Sequence, residues 1–315
     1  VTALPNVRRA AWLLPALLPL IHGHAAAAEP LVVCMAEDNA PLSYAVKGAV
    51  RGLDARLAQA IADAAGRPLK LVPFETEYEK ESQLTHEVNA LLSSGVCEAV
   101  SGFPLLNGDL GAPTRPSSKT PDYPGAKRKR DRPFVPLGTL VPSQGYLSMA
   151  LGLVVRDAGA PVQNLVDLAK REDGGQLKLG VTTGTLAGSL AQMWRNGVLR
   201  KRTLTVSQRE EVLDTVADGR AGAALVPLAR FDGWKLMHRD SPLQVTTWRR
   251  PLDVNLGFVT LADAAPLRTL IDRVISGALA DGSLARWAAE EGVSWSAPTT
   301  PNVGAGPTIA WLGTD

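Results

Sequence analysis

Twice along this chain, three short apolar runs alternate with two segments of helical spacing. The first set is a strand run over 31–35 (LVVCM), a helix carrying Leu53, Leu57, Ala60, Ile61 and Ala64 to a stop at Gly66, and a strand over 69–73. A helix over 82–93 with Leu84, Val88, Leu91 and Leu92, and a strand over 96–102, complete it. The second set has strands over 177–181, 203–206 and 223–226, with helices over 186–195 and 210–217 between them. A strand followed by a helix and another strand predicts a parallel sheet, so the fold class is α/β with two separate lobes. A short helix over 162–170 precedes the second set. A strand over 254–261 and two helices, over 265–279 and 283–290, follow it. With 315 residues, two lobes are also what length alone suggests.

The opening segment predicts export. Arg8 and Arg9 precede an apolar run over 10–21, and a small-residue site follows at Ala26-Ala27-Ala28. That is the layout of a secretory signal peptide over 1–28, and the run is too short for a membrane span. The mature chain is therefore expected in the periplasm, with no membrane insertion after cleavage. Setting Arg8 and Arg9 aside, the basic side chains equal the 31 acidic ones, and that balance argues against a nucleic-acid partner. Residues 103–142 are rich in Pro, Gly and charge and include Lys127-Arg128-Lys129-Arg130, which reads as a solvated insertion. Residues after Ser296 read as a Pro/Gly/Thr tail.

Catalytic signatures fail in turn. Neither G-x-S-x-G nor a P-loop is present. His86-Glu87 begins a zinc motif, but Ala90 stands where its second histidine belongs. Only His86 and His238 follow the leader, so no metal site and no cofactor are expected. Thr182-Thr183-Gly184-Thr185, between a strand and a helix, is either a plain N-cap turn or a cradle of backbone N–H groups for a polar ligand.

In order along the chain stand Asp38-Asn39-Ala40-Pro41-Leu42-Ser43-Tyr44, Gly52-Leu53-Asp54, Ser93-Ser94-Gly95-Val96-Cys97-Glu98, Gly184-Thr185, Ala217-Asp218-Gly219-Arg220 and Ala280-Asp281-Gly282-Ser283-Leu284 with Trp287. Over about 31–295 this resembles the family 3 bacterial extracellular solute-binding proteins. Cys34, Asp38-Asn39 and Pro41, with Gly95-Val96-Cys97-Glu98, are also similar to the family's quinoprotein-dehydrogenase-associated members. The sequence departs from that group at Ala36 and in the long insertion.

The resemblance implies a periplasmic binding protein type II-like fold, with a first lobe over 29–147, a second over 148–257, and a return to the first over 258–296. The insertion is about 104–142, the tail 297–315, and the crossovers lie near 148–151 and 255–257. It implies hinge closure on a ligand without chemistry, and no enzyme activity. The ligand would lie beyond the carboxyl ends of the strands. Cleft residues would then be Asn39, Leu42, Tyr44, Phe103, Pro104, Tyr146, Thr183, Gly184, Thr185 and Pro227. Tyr44 and Phe103 also suit ordinary packing. A Cys34–Cys97 disulfide is implied, against the alternative of two buried thiols. The partner would be an ABC permease or, for an accessory role, a periplasmic quinoprotein alcohol dehydrogenase; a lyase or dehydratase on the same fold is a third reading. The family's arginine after the third strand and its acid after the second lobe's last strand are missing from 103–111 and from Val226-Pro227-Leu228, with no acid until Asp232. The ligand is therefore expected not to be a standard α-amino acid.

Overall fold

The computed structural model describes residues 1–2, 28–76, 83–157 and 161–314; the predicted leader lies almost wholly outside them. The first set of elements is β1 (Leu31–Ala36), α1 (Leu53–Ala65), β2 (Leu69–Phe74), α2 (Leu84–Ser93) and β3 (Ala99–Pro104). β4 (Leu147–Val155) leads to α3 (Leu165–Lys170), β5 (Leu179–Thr182), α4 (Leu186–Gly197), β6 (Thr203–Val206), α5 (Val212–Ala217), β7 (Ala223–Pro227) and α6 (Leu228–Met237). The long β8 (Gln244–Leu261) returns the chain to α7 (Ala265–Ala280) and α8 (Ser283–Glu291), and α9 (Ile309–Gly313) ends it.

One sheet runs through both lobes in the order β6-β5-β7-β4-β8-β3-β1-β2. β2, β1 and β3 are parallel, as are β6, β5 and β7. β4 and β8 are antiparallel to each other and join the halves. Their register breaks between Ser148, opposite Asn255, and Ala150, opposite Pro251. The extra residues on β8 include Asp253, whose φ is 53°. This bulge stands where both strands pass between lobes.

Side-chain alternation builds a core on each sheet face. Leu31, Val33 and Met35 of β1 pack with Leu53, Leu57 and Ile61 of α1 and with Ile271 and Ile275 of α7. Cys34, pointing the other way, packs with Val88 and Leu91 of α2 and with Phe103. The second lobe repeats the scheme, with Leu151, Leu153 and Val155 on one face and Val154 on the other. The buried stripe of α1 is rotated from the expected one: Asp54, Ala58 and Ala62 are buried, whereas Ala60 is half-buried and Ala64 exposed. Gly52 precedes this helix at φ 112°, where a Cβ would stand 2.4 Å from the Leu42 carbonyl oxygen.

Cys34 and Cys97 form a disulfide, joining β1 to the approach of β3. Two segments expected to be loose are packed. In the insertion, Leu105 and Leu140 are buried, and residues 117–118 pair with 135–136. Its buried Arg132 donates to the carbonyls of Lys127 and Thr120 and to Asp122, which fixes the loop carrying the basic run. The tail is a strap rather than a free end. Asn255 donates to the carbonyls of Thr299 and Asn302 and accepts from the Thr299 N–H, beside the bulge. Gly304 exchanges backbone bonds with Leu105 and Asn107 in the first lobe. Trp311 donates from its indole to the Pro251 carbonyl, and Leu312 enters the second lobe's core.

Candidate functional site

Between the lobes lies a cavity of about 410 Å³. The first lobe supplies the ends of β1, β2 and β3: Ala36, Phe74, and 100–104, with Asp38, Asn39, Leu42 and Ser43 from the turn after β1. The second lobe supplies Pro227, Leu228, Ala229 and Asp232 from the junction of β7 and α6. The crossing strands form the back wall through Leu147, Ser148, Met149, Ala150 and Leu256. Val293 and Ser294, just after α8, close one side. Strand ends meet here because parallel strands all deliver their carboxyl ends to one edge of the sheet.

Of the residues expected in the cleft, Asn39, Leu42, Phe103, Pro104 and Pro227 line the cavity. Tyr44, Tyr146, Thr183, Gly184 and Thr185 are not among its lining residues. Tyr146 is fully buried, packed on Phe258, with its hydroxyl donating to Asp54 Oδ1 at 2.6 Å. That carboxylate draws the tyrosine into the core instead of the cleft. Tyr44 belongs to a small hairpin and pairs with Asp38 and Arg51. Thr185 caps α4: its hydroxyl accepts from the Gly188 N–H and donates to the Thr182 carbonyl. Thr183 donates to the Val206 carbonyl through both its N–H and its hydroxyl, while Gly184 is exposed at φ 72°. This turn is a built N-cap, one of the two readings its sequence allowed.

Sequence reasoning missed the site's acids and much of its back wall. Asp38 and Asp232 both line the cavity, although none of the cleft residues read from the sequence was a strong acid or base. In sequence Asp232 stands too late after β7 to be read as a strand-end residue; one turn of α6 carries it back to the cavity. No Lys or Arg is among the lining residues. Asp232 is 5% exposed and accepts from Ser294 twice, from the N–H at 2.7 Å and the hydroxyl at 2.6 Å. Burial pushes its carboxyl up to about 6, against the Ser294 hydrogen bonds and the field of Arg249. Asp54 lies behind Gly102, whose Cβ position is 2.9 Å from Asp54 Oδ2. Burial lifts Asp54 to about 6 as well, opposed by the hydrogen bond from the Tyr146 hydroxyl. Among the described residues, no cluster of His, Cys, Asp and Glu is arranged to hold a metal ion.

No family model matches the chain, and no curated protein matches it by sequence. Solved structures do. Substrate-binding domain 2 of GlnP from Lactococcus lactis, in open conformation, superposes with a TM-score of 0.59 at 14% identity, over 85% of this chain and 97% of that one. The unliganded L-cystine solute receptor of Neisseria gonorrhoeae gives 0.56 at 17%, covering 86% and 95%. An ancestral cyclohexadienyl dehydratase gives 0.53 at 14%, covering 84% and 92%. At such identities the likeness concerns architecture. The chain thus has the α/β fold of type II periplasmic binding proteins.

Proposed function

We propose that the chain is an exported solute-binding receptor that captures a small molecule between its lobes and presents it to an ABC permease. The observation that carries this reading is the cavity itself, lined from both lobes beside two crossing strands whose pairing breaks at the point of passage. No described helix is long and apolar enough to cross a membrane, in keeping with a protein that works beside a permease.

The lining narrows the ligand. Its walls are Leu42, Phe74, Phe103, Pro104, Met149 and Leu228, and its charged groups are Asp38 and Asp232. A carboxylate placed there would lose water and face two acids, so the reading is a largely apolar ligand, neutral or cationic. The neighbours named above include an L-cystine receptor, which makes amino acids the necessary comparison. Calorimetric titration of the purified protein with L-amino acids, and with aromatic or aliphatic amines and alcohols, tests this. Binding is expected among the amines or alcohols; micromolar binding of an amino acid through its carboxylate overturns the charge argument.

The two cavity carboxylates also favour a second reading, a dehydratase or lyase, since a carboxyl held near 6 can move protons. Turnover assays with cyclohexadienyl substrates separate it from a receptor. The accessory role beside a quinoprotein alcohol dehydrogenase rests on sequence resemblance alone, and co-purification with such an enzyme is its test.

A further inference from the structure

The most basic stretch of the chain lies in the insertion of the first lobe. Over 115–134 seven Lys and Arg stand against Asp122 and Asp131, although the two signs balance in the chain that follows the predicted leader. The stretch is held firmly. The Glu75 N–H donates to the Asp122 carbonyl at 3.0 Å, His86 Nε2 lies 3.0 Å from the Thr114 hydroxyl, and Asn89 donates to the Gly138 carbonyl at 2.8 Å. The end of β2 and helix α2 therefore anchor it. Within it, every carbonyl of the run 127–130 is already bonded. Arg132 Nε donates to that of Lys127 and the Asp131 N–H to that of Arg128. The Arg132 N–H and Lys119 Nζ donate to that of Lys129, and Lys119 Nζ reaches that of Arg130. What the run turns outward is charge: Lys127, Arg128 and Arg130 are exposed, with Asp131 3.5 Å from Arg130. Beside them stands a ring. Phe134 is 68% exposed, next to the exposed Pro133, whereas the chain's other four phenylalanines are buried. Lys119 Nζ lies 5.3 Å from the centre of that ring.

We propose that this face docks the first lobe on a bilayer surface rich in acidic phospholipids, with Phe134 in the interfacial layer and Lys127, Arg128 and Arg130 on the phosphates. None of these residues lines the cavity, so the proposal stands apart from the receptor reading. Clustered cations beside an exposed aromatic supply the two attractions of an interfacial anchor, charge to the headgroups and apolar area to the acyl boundary. A loop that approaches a bilayer gives up water around its backbone, and here the carbonyls of the run lose nothing by it, being bonded internally. The same bonding argues against a folded acidic partner. The run has no spare carbonyl acceptors to offer such a surface; it has cations and a ring, which a fluid layer of anions and acyl chains satisfies from any direction.

Flotation of the purified protein with vesicles tests this. The protein should bind mixed phosphatidylcholine–phosphatidylglycerol vesicles and ignore pure phosphatidylcholine. At about 1 M salt, where charges are felt only within about 3 Å, most of it should be released. Lys127→Ala combined with Arg128→Ala, both at exposed positions, should weaken binding roughly thirtyfold, at about fivefold for each cation. Phe134→Ser should weaken it several-fold. An environment-sensitive dye on Phe134→Cys should shift to the blue when mixed vesicles are added, while the same dye on Ala64→Cys, exposed on α1, should not. Equal binding to both kinds of vesicle, undiminished binding by the double variant, or a dye at 134 that stays in water overturns the proposal. Retention on immobilised poly-L-glutamate without binding to phosphatidylglycerol vesicles overturns it in favour of an acidic polypeptide.

Discussion

Asp54 shows how one residue can face the site's floor without joining it. It is the second residue of α1, fully buried, and holds Tyr146 in the core through a 2.6 Å hydrogen bond. Its carboxyl is pushed up to about 6, so the folded protein binds a proton there that the unfolded chain, near 3.8, does not. The stability from this group is full below about pH 4 and is lost as pH rises through about 6. Asp54→Asn should remove that part of the pH dependence, worth about 3 kcal/mol at most. Urea unfolding at about pH 5 and pH 7.5 checks this: wild type should be more stable at the lower pH, and the variant should show a smaller difference. The sequence marked Asp54 only as part of Gly52-Leu53-Asp54 and placed Tyr146 in the cleft. An aromatic near a crossover carries no local sign of which way it turns; the partner that decides lies 92 positions away.

At the scale of elements, α4 depends on the residue that caps it. Thr185 accepts from Gly188 N–H at 3.1 Å and ties the turn to Thr182. Thr185→Ala should cost about 1 kcal/mol, read as a lower chemical-unfolding midpoint with unchanged slope. Such local devices were legible: Gly66 stops α1 in the left-handed region as expected, and β6 spans the residues read from sequence. The missed elements had no periodic signal. In α6, Leu228, Phe231, Asp232 and Trp234 are buried, so its inward face carries an acid and its apolar contrast is weak. β4, buried along nearly all its length, has no polar alternation to mark it as a strand. The first ten residues of β8 carry Arg249, Arg250 and Pro251, which suit a loop equally well. Because Asp232 sits on the unread helix, the cavity's second acid was hidden with it.

For the whole molecule, the decisive addition is the strap over 296–314. It binds the first lobe at Leu105 and Asn107, the bulge at Asn255, and the second lobe through Trp311 and Leu312. Arg250 stacks on Trp311 and donates to its carbonyl. Removing residues 297–315 should lower stability by about 2–4 kcal/mol, because Leu312 leaves the core and buried polar groups lose partners. Calorimetric melting of the shortened chain checks this, and pulsed electron double resonance between spin labels at Ala64→Cys on α1 and Ser189→Cys on α4, both exposed, should show a broader distance distribution.

The strap also settles where positions 29 and 314 ride. Leu31 is anchored in the core of the first lobe and Leu312 in that of the second. A donor dye near position 29 and an acceptor near position 314 would sit on opposite jaws, so end-to-end energy transfer would read the hinge directly. The fold carries its own ruler, and a fluorescent sensor made from it needs no insertion inside either lobe.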